Sequence, residues 1–110
     1  MSGTLTVIWW RDIPAQVIAK DRRQAHKVML HPRFQVAIDK AAMKAGKKTA
    51  NDYIEEWRRE GQPCGDDFEA EATGEAARLE AAYTKDVLAR IITAGGFDSE
   101  RPPRDPGPAA

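Results

Sequence analysis

The sequence predicts an α+β fold in which a short N-terminal antiparallel β-sheet, a hairpin, packs against three helices. β-branched and aromatic residues dominate the first twenty positions, a composition typical of strands. From Pro32 onward, apolar residues instead recur at steps of three and four, as in amphipathic helices. A chain of 110 residues can bury one modest core, so we expect a single domain.

The first strand is predicted from Thr4 to Trp10. Pro14 interrupts the extended pattern because it lacks an amide hydrogen, and the pattern resumes over residues 16–20. These two segments predict a hairpin or a strand with a bulged corner. Residues 21–31 leave two alternatives open, a third short strand around residues 27–30 or an irregular basic connection.

Three helices follow in the predicted order. The first begins at Pro32 and ends at Gly46, and the second runs from Thr49 to Gly61. Residues 62–65 are a connection or a short edge strand. The third and longest helix starts near Asp66 and ends at Gly95-Gly96, with an apolar stripe at Phe68, Ala72, Ala76, Leu79, Tyr83, Val87 and Ile91. The predicted core comprises Leu5, Val7, Phe34, Ile38, Tyr53, Ile54, Trp57, Leu79 and Tyr83.

The domain is predicted to cover residues 1–97. After Phe97 the sequence contains four prolines and no large apolar residue, so nothing offsets the entropy of ordering it. We therefore expect residues 98–110 to form a disordered, Pro-rich tail.

Several classes of function are not expected. No apolar run approaches the roughly 20 residues that cross a bilayer, and the first residues have no basic region or cleavage site, which favours the cytoplasm. The single Cys64 excludes an internal disulfide, and His26 and His31 lack a standard metal-ligand spacing. We expect no metal, no cofactor and no catalytic residue, hence no enzyme; a nucleophilic Cys64 is the least favoured alternative.

Charge is divided along the chain although the net charge is zero. Residues 1–60 carry a net +5 and residues 61–110 a net −5. The basic segment 20–33 is the basis of an alternative function, a regulator that binds nucleic acid. We do not favour it, because the acidic half can fold over the basic half and cancel its field.

Two consecutive tryptophans provide the most informative local signal. Successive strand residues point to opposite faces, so Trp9 and Trp10 cannot both enter a core on one side of a sheet. In one solution, a helix, a neighbouring loop or a strand distortion at Arg11 covers the second tryptophan. We choose the other, in which Leu5, Val7 and Trp9 face the core and Trp10 is exposed. Tryptophan and arginine are enriched at binding hot spots, so the predicted partner-binding residues are Trp10, Arg11, Asp12, Ile13 and Pro14.

Four segments together carry a resemblance to a known family: WWRDIPAQV, RFQVAIDKAAMKAG, NDYIEEWRR and GDDFEAEATGEAARLEAAY. They resemble the small bacterial virulence factor family, single-domain relatives of the domain in conserved virulence factor C, over about residues 4–95. His31 departs from the Ser or Pro expected before the first helix. The resemblance implies no reaction and no catalytic residue. It implies proximity to folate- and corrinoid-dependent methyl-transfer proteins.

The predicted function is that of a non-enzymatic, cytosolic interaction or accessory protein. The expected partner is an unidentified protein, for which the resemblance suggests a one-carbon or corrinoid methyl-transfer protein. We expect no interaction with membranes.

Overall fold

The computed structural model describes residues 3–46 and 54–98. Within these ranges the chain forms a four-stranded antiparallel sheet and three helices, in the order β1 (Gly3–Trp10), β2 (Ile13–Lys20), β3 (Ala25–Met29), α1 (Pro32–Lys44), β4 (Trp57–Cys64), α2 (Phe68–Ala82) and α3 (Lys85–Thr93). The strands lie in the order β3-β2-β1-β4, so β1 and β2 are central. The α+β class is confirmed, with a wider sheet than the predicted hairpin.

The β1–β2 pair is both a hairpin and a bulged ladder. Trp10 pairs with Ile13 across a two-residue turn, and the register shifts between Ile8 and Trp9, where Trp9 lies opposite Pro14. A proline cannot donate to the ladder, so strands tolerate it where pairing is already irregular. The extra residue of the bulge is Ala15, directly after the proline that the sequence identified as the interruption.

Residues 21–31 contain the third strand, the first of the two alternatives. Ala25–Met29 pairs antiparallel with β2. The turn before it is closed by Asp21, whose Oδ1 accepts the amide hydrogens of Arg23 at 2.7 Å and Gln24 at 2.9 Å. These two hydrogen bonds lower the pKa of the Asp21 carboxyl, because they stabilise its charged form.

The predicted second helix is wrong over residues 57–61, although Ile54, the first described residue of this stretch, is helical. Trp57–Cys64 is a strand that pairs with β1 along its full length, from Trp10↔Trp57 to Gly3↔Cys64. The unpaired edge of β1 needs hydrogen-bond partners, and this tertiary requirement overrides the weak helical pattern. Pro63 is compatible with an edge strand, where one row of amides faces outward. The short edge strand considered for residues 62–65 is the end of β4.

The first helix is confirmed, and its cap is an unexpected residue. α1 begins at Pro32, and His31 caps it through Nδ1, which accepts the Arg33 amide hydrogen at 3.1 Å. Gly46 has a positive φ of 77°, a conformation suited to glycine just beyond a helix. His31, which stands where the family resemblance suggests Ser or Pro, therefore caps α1 with a ring nitrogen instead of a hydroxyl.

The predicted third helix is two helices, so its continuity is wrong. α2 ends at Tyr83 (φ −105°, ψ 75°), and Thr84 caps α3 by accepting the Val87 amide hydrogen on Oγ1. The Thr84 hydroxyl competes with the helical ladder for that amide. After the break the buried face contains Leu88 and Ile91, while Val87 is only partly buried.

The core lies between one face of the sheet and the three helices. Leu5, Val7, Phe34, Ile38 and Leu79 are buried as predicted. Tyr83 and Trp57 are partly buried and pack against this cluster. Ile54 is 61% exposed, so its predicted burial is wrong.

Some predictions fall on parts of the chain that the structure does not describe. Tyr53 and the start of the predicted second helix lie outside the described residues, as do residues 99–110 of the predicted tail. None of the helices in residues 3–46 and 54–98 has the length and apolar character needed to cross a membrane.

Candidate functional site

The predicted partner-binding segment forms one corner of the sheet, which we call the Arg11 corner: the β1–β2 turn with residues 56–58 and 95–98. Arg11 is the only non-glycine among the described residues with a positive φ, 53°. A two-residue hairpin requires that conformation at its first turn residue, and it costs a side-chain-bearing residue about 1–2 kcal/mol. The contacts of the Arg11 side chain offset this cost.

Arg11 binds two segments that are distant in sequence. Its Nη1 donates to the Gly95 carbonyl at 2.7 Å, and its Nη2 donates to Glu56 Oε2 at 3.2 Å. The guanidinium carbon also lies 4.4 Å from the centre of the Phe97 ring, a cation–π distance. Arg11 thereby connects the sheet to the chain before β4 and to the turn after α3.

Trp10 is fully buried, so its predicted exposure is wrong. The Arg11 guanidinium carbon lies 5.3 Å from the centre of its ring, and a Cβ at Gly96 would lie 2.9 Å from Trp10 Cζ3. Gly96 has a φ of 103° and closes over the indole because it carries no side chain. Trp9 is also buried, with its ring 6.1 Å from that of Tyr83. The turn after α3 and the Arg11 side chain thus cover Trp10, so both consecutive indoles are buried.

Asp12 forms the second set of contacts at this corner. Its Oδ2 accepts the Asp98 amide hydrogen at 2.8 Å, and its Oδ1 lies 3.4 Å from Arg58 Nη2. Arg58 also donates to the Arg11 carbonyl. Asp98 in turn pairs with Arg90 at 2.9 Å, so the chain is held to α3 at residue 98.

Little of the predicted segment is therefore accessible. Trp10 and Ile13 have no exposed surface, and Pro14 is fully buried. The side chains of Arg11 and Asp12 are 11% and 19% exposed, and both are ion-paired. This arrangement stabilises the fold; a partner-binding role for the five residues stays a prediction.

Cys64 has the environment of an unreactive thiol. It is buried at the end of β4. Burial raises the pKa of this thiol, and the Glu71 and Asp66 carboxylates raise it further. A nucleophilic cysteine requires the opposite shift, toward the thiolate at neutral pH.

The basic segment 20–33 is divided between two surfaces. Lys20 ends β2, Arg22 and Arg23 lie in the β2–β3 turn, and Lys27 lies in the middle of β3. Arg33 instead binds the C-terminal end of α2, where its Nη2 donates to the carbonyls of Glu80 at 2.8 Å and Tyr83 at 3.3 Å. The structure thus separates cations that are continuous in sequence. Among the described residues no group of histidine, cysteine and carboxylate side chains could hold a metal ion.

A groove between α1 and α3 is a further site, which the sequence did not reveal. It has a volume of about 400 Å³, and we call it the α1–α3 groove; it is lined by His31, Pro32, Arg33, Val36, Ala37, Lys40, Lys85, Leu88, Ala89 and Ile92. Ala37 and Leu88 are buried in its floor, whereas Val36 is 48% exposed. The break between α2 and α3 is needed to form this groove, so a prediction of one continuous helix could not find it.

Comparison with known proteins identifies the family. The sequence model of the virulence factor family matches residues 8–92, which include the α1–α3 groove and the Arg11 corner apart from residues 95–98. The chain belongs to the virulence factor family. Searches of curated proteins and of solved structures found no significant match. Function in this virulence factor domain must therefore be argued from its own surfaces.

Two signals in the virulence factor sequence could have located the groove. Thr84 followed by Lys85-Asp86-Val87 has the pattern of a capped helix start, with an acidic residue in the first turn. On α1, Val36 lies beside Ala37 at the border of the apolar stripe and widens it on one side. Both signals were outweighed by the regular spacing of the longer predicted helix.

Proposed function

We propose that this domain is a non-enzymatic accessory protein of the cytoplasm that binds a partner protein in the α1–α3 groove. The observation that carries the proposal is the partly exposed apolar surface where two helices meet: Val36 is 48% exposed beside the buried Ala37 and Leu88. Grooves of this kind between helices are a common docking place for a segment of another protein.

The Arg11 corner holds the C-terminal end of α3, which forms one wall of the groove. Arg11 holds the Gly95 carbonyl, and Gly96 donates its amide hydrogen to the Ile91 carbonyl at 2.9 Å. At the other end, Arg33 fixes the start of α1 to the end of α2. Since α1 is held at its start and α3 just after its end, we expect little ordering entropy to be lost when a partner binds in the groove.

Our proposal for the identity of the partner rests on the family resemblance alone. We propose a folate- or corrinoid-dependent methyl-transfer protein as the first candidate. In this role the chain contributes binding surface and no catalytic group, in keeping with the raised pKa of the Cys64 thiol.

Site-specific photo-crosslinking in the native cell tests the proposal. A benzophenone side chain replaces Val36 in one variant and Met29, which is 66% exposed on β3, in the control. We expect one dominant adduct from position 36 and none of the same mass from position 29, with the partner identified by mass spectrometry. Identical adducts from both positions, or none from position 36, would refute docking in the groove.

A further inference from the structure

The charge of the α1–α3 groove defines the chemistry of its occupant. We infer that the groove binds an acidic amphipathic helix of the partner, with apolar residues on one face and Asp or Glu on both sides of them. The inference rests on the proposed function, since it describes the segment that docks at the same site.

The two helices present matching faces to the groove. On α1 the lining positions are Arg33, Val36, Ala37 and Lys40, and on α3 they are Lys85, Leu88, Ala89 and Ile92. Both sets have the spacing i, i+3, i+4 and i+7, which defines one face of a helix over about two turns, or about 10.5 Å. A third helix packed along the groove would contact both faces over that length.

The apolar residues occupy the two middle positions of the α1 face, and the two middle positions and the C-terminal end of the α3 face. Ala37 and Leu88 are buried, Ile92 packs partly against the core, and Val36 and Ala89 are exposed. The small Ala37 and Ala89 allow close approach of a partner backbone, and Val36 and Ile92 provide apolar surface beside them. This arrangement fits partner side chains spaced at i, i+3 or i+4, and i+7.

The charged residues occupy the ends of the faces and all have one sign. Arg33, Lys40 and Lys85 line the groove, and no carboxylate is among its lining residues. Neither Lys40 nor Lys85 forms an ion pair with any residue in the described part of the chain, whereas Arg33 is occupied by backbone carbonyls. The two lysines are thus available to carboxylates of a partner.

Neighbouring carboxylates have other contacts. Asp39 accepts a hydrogen bond from Gln35 at 3.0 Å, and Glu80 accepts the His31 amide hydrogen at 3.0 Å. Both carboxylates stay charged, but neither lines the groove, whose charged lining residues are all cationic. The lining therefore favours an acidic segment and opposes a basic one, which gives specificity as well as faster association.

Peptide titration followed by NMR tests the inference on the full chain labelled with ¹⁵N. The probes are two synthetic amphipathic helices of about 18 residues, identical in their leucine face, with Glu on both flanks of one and Lys on both flanks of the other. We expect the Glu peptide to bind at least about ten-fold more tightly than the Lys peptide, and its advantage to shrink with added salt. The shifted amide signals should belong to α1 and α3.

The variant Lys40→Glu with Lys85→Glu should reverse the preference between the two peptides. The control, Lys20→Glu with Lys27→Glu, makes the same change in net charge at exposed positions on the sheet and should keep the preference for the Glu peptide. Circular dichroism and thermal melting verify that both variants fold. Equal affinity for the two peptides, shifts outside the groove, or a reversal in the control as well would overturn the inference.

The outcome is separable from the proposed function. If position 36 crosslinks to a partner but the Glu peptide shows no preference, the groove binds protein by other chemistry and only the inference fails. If the Glu peptide binds in the groove but no adduct forms in cells, the proposed function fails while the chemical preference of the groove remains. A dimer in analytical ultracentrifugation that dissociates in the Lys40→Glu, Lys85→Glu variant would identify a second copy of this chain as occupant and would refute the inference.

Discussion

Arg11 covers the indole of Trp10, with its guanidinium carbon 5.3 Å from the ring centre, while its Nη1 binds the Gly95 carbonyl at 2.7 Å. One side chain thus connects the largest buried residue of the sheet to the turn that ends α3. The same turn determines where α3 lies, and α3 forms one wall of the α1–α3 groove. The Arg11 corner and the groove are therefore connected: Arg11 holds the turn that ends α3, and α3 forms one wall of the groove.

Replacement of Trp10 tests the packing of the Arg11 corner. Trp10 has no exposed surface, and truncation of a buried tryptophan to alanine costs about 3 to 5 kcal/mol through lost burial and the cavity left behind. We expect Trp10→Ala to lower the free energy of unfolding by that amount in urea denaturation. Met29→Ala, at an exposed position, should change it by less than about 0.5 kcal/mol. A stable Trp10→Ala variant that loses its partner would instead favour an exposed, partner-binding indole.

A pair of glycine replacements tests the turn that covers Trp10. Gly96 has a φ of 103°, and a Cβ there would lie 2.9 Å from Trp10 Cζ3, so Gly96→Ala should destabilise the domain. Gly74 lies within α2, and a Cβ added there would meet no neighbouring atom within 4 Å. Gly74→Ala should therefore stabilise the domain by about 0.5 to 1 kcal/mol. Thermal melting should move in opposite directions for the two variants, and a shared direction would contradict the packing described.

Cys64 provides a prediction about pH. Burial and the Glu71 and Asp66 carboxylates raise the pKa of its thiol, so the native protein keeps the proton at pH values where the unfolded chain loses it. The contribution of this proton to the free energy of unfolding is fully present below the pKa of the thiol in the unfolded chain. It is lost as the pH rises through the higher pKa of the thiol in the folded protein. Alkylation by iodoacetamide at about pH 8, just below the usual thiol pKa, should be slower in the native protein than in urea. An equal rate would show an accessible thiol of ordinary pKa.

The sequence predicted elements well where the local pattern and the tertiary environment agree. α1 combines Pro32 at its start, a regular apolar stripe and Gly46 beyond its end, and its prediction is confirmed. Residues 57–61 of β4 were predicted as helix because Trp57 fitted a helical spacing, yet the open edge of β1 determines their conformation. That edge is not visible in a sequence until the order of the strands is known.

The candidate site was less predictable for a related reason. Alternation along β1 implied that Trp9 and Trp10 face opposite sides. The prediction then chose an exposed Trp10 over cover by a loop, whereas the turn at Gly96 covers it. The groove depends on a helix break at Thr84, where a single hydroxyl competes with an otherwise continuous stripe. The error at Thr84 arises from extending a regular period through a local irregularity, and the error at Trp10 from a long-range contact that the sequence does not show.

The last prediction concerns nucleic acid, the alternative function of the basic segment 20–33. Arg33 is bound to α2, so the cations of that segment on the β2–β3 hairpin are Lys20, Arg22, Arg23 and Lys27. Since log K falls with log salt by about 0.9 per neutralised phosphate, this hairpin supports only a shallow slope. We expect weak binding of nonspecific DNA or RNA at physiological salt, measured by fluorescence anisotropy at several salt concentrations. Submicromolar affinity with a steep slope, reduced by Arg22→Ala and Arg23→Ala, would contradict this and favour a nucleic-acid-binding regulator.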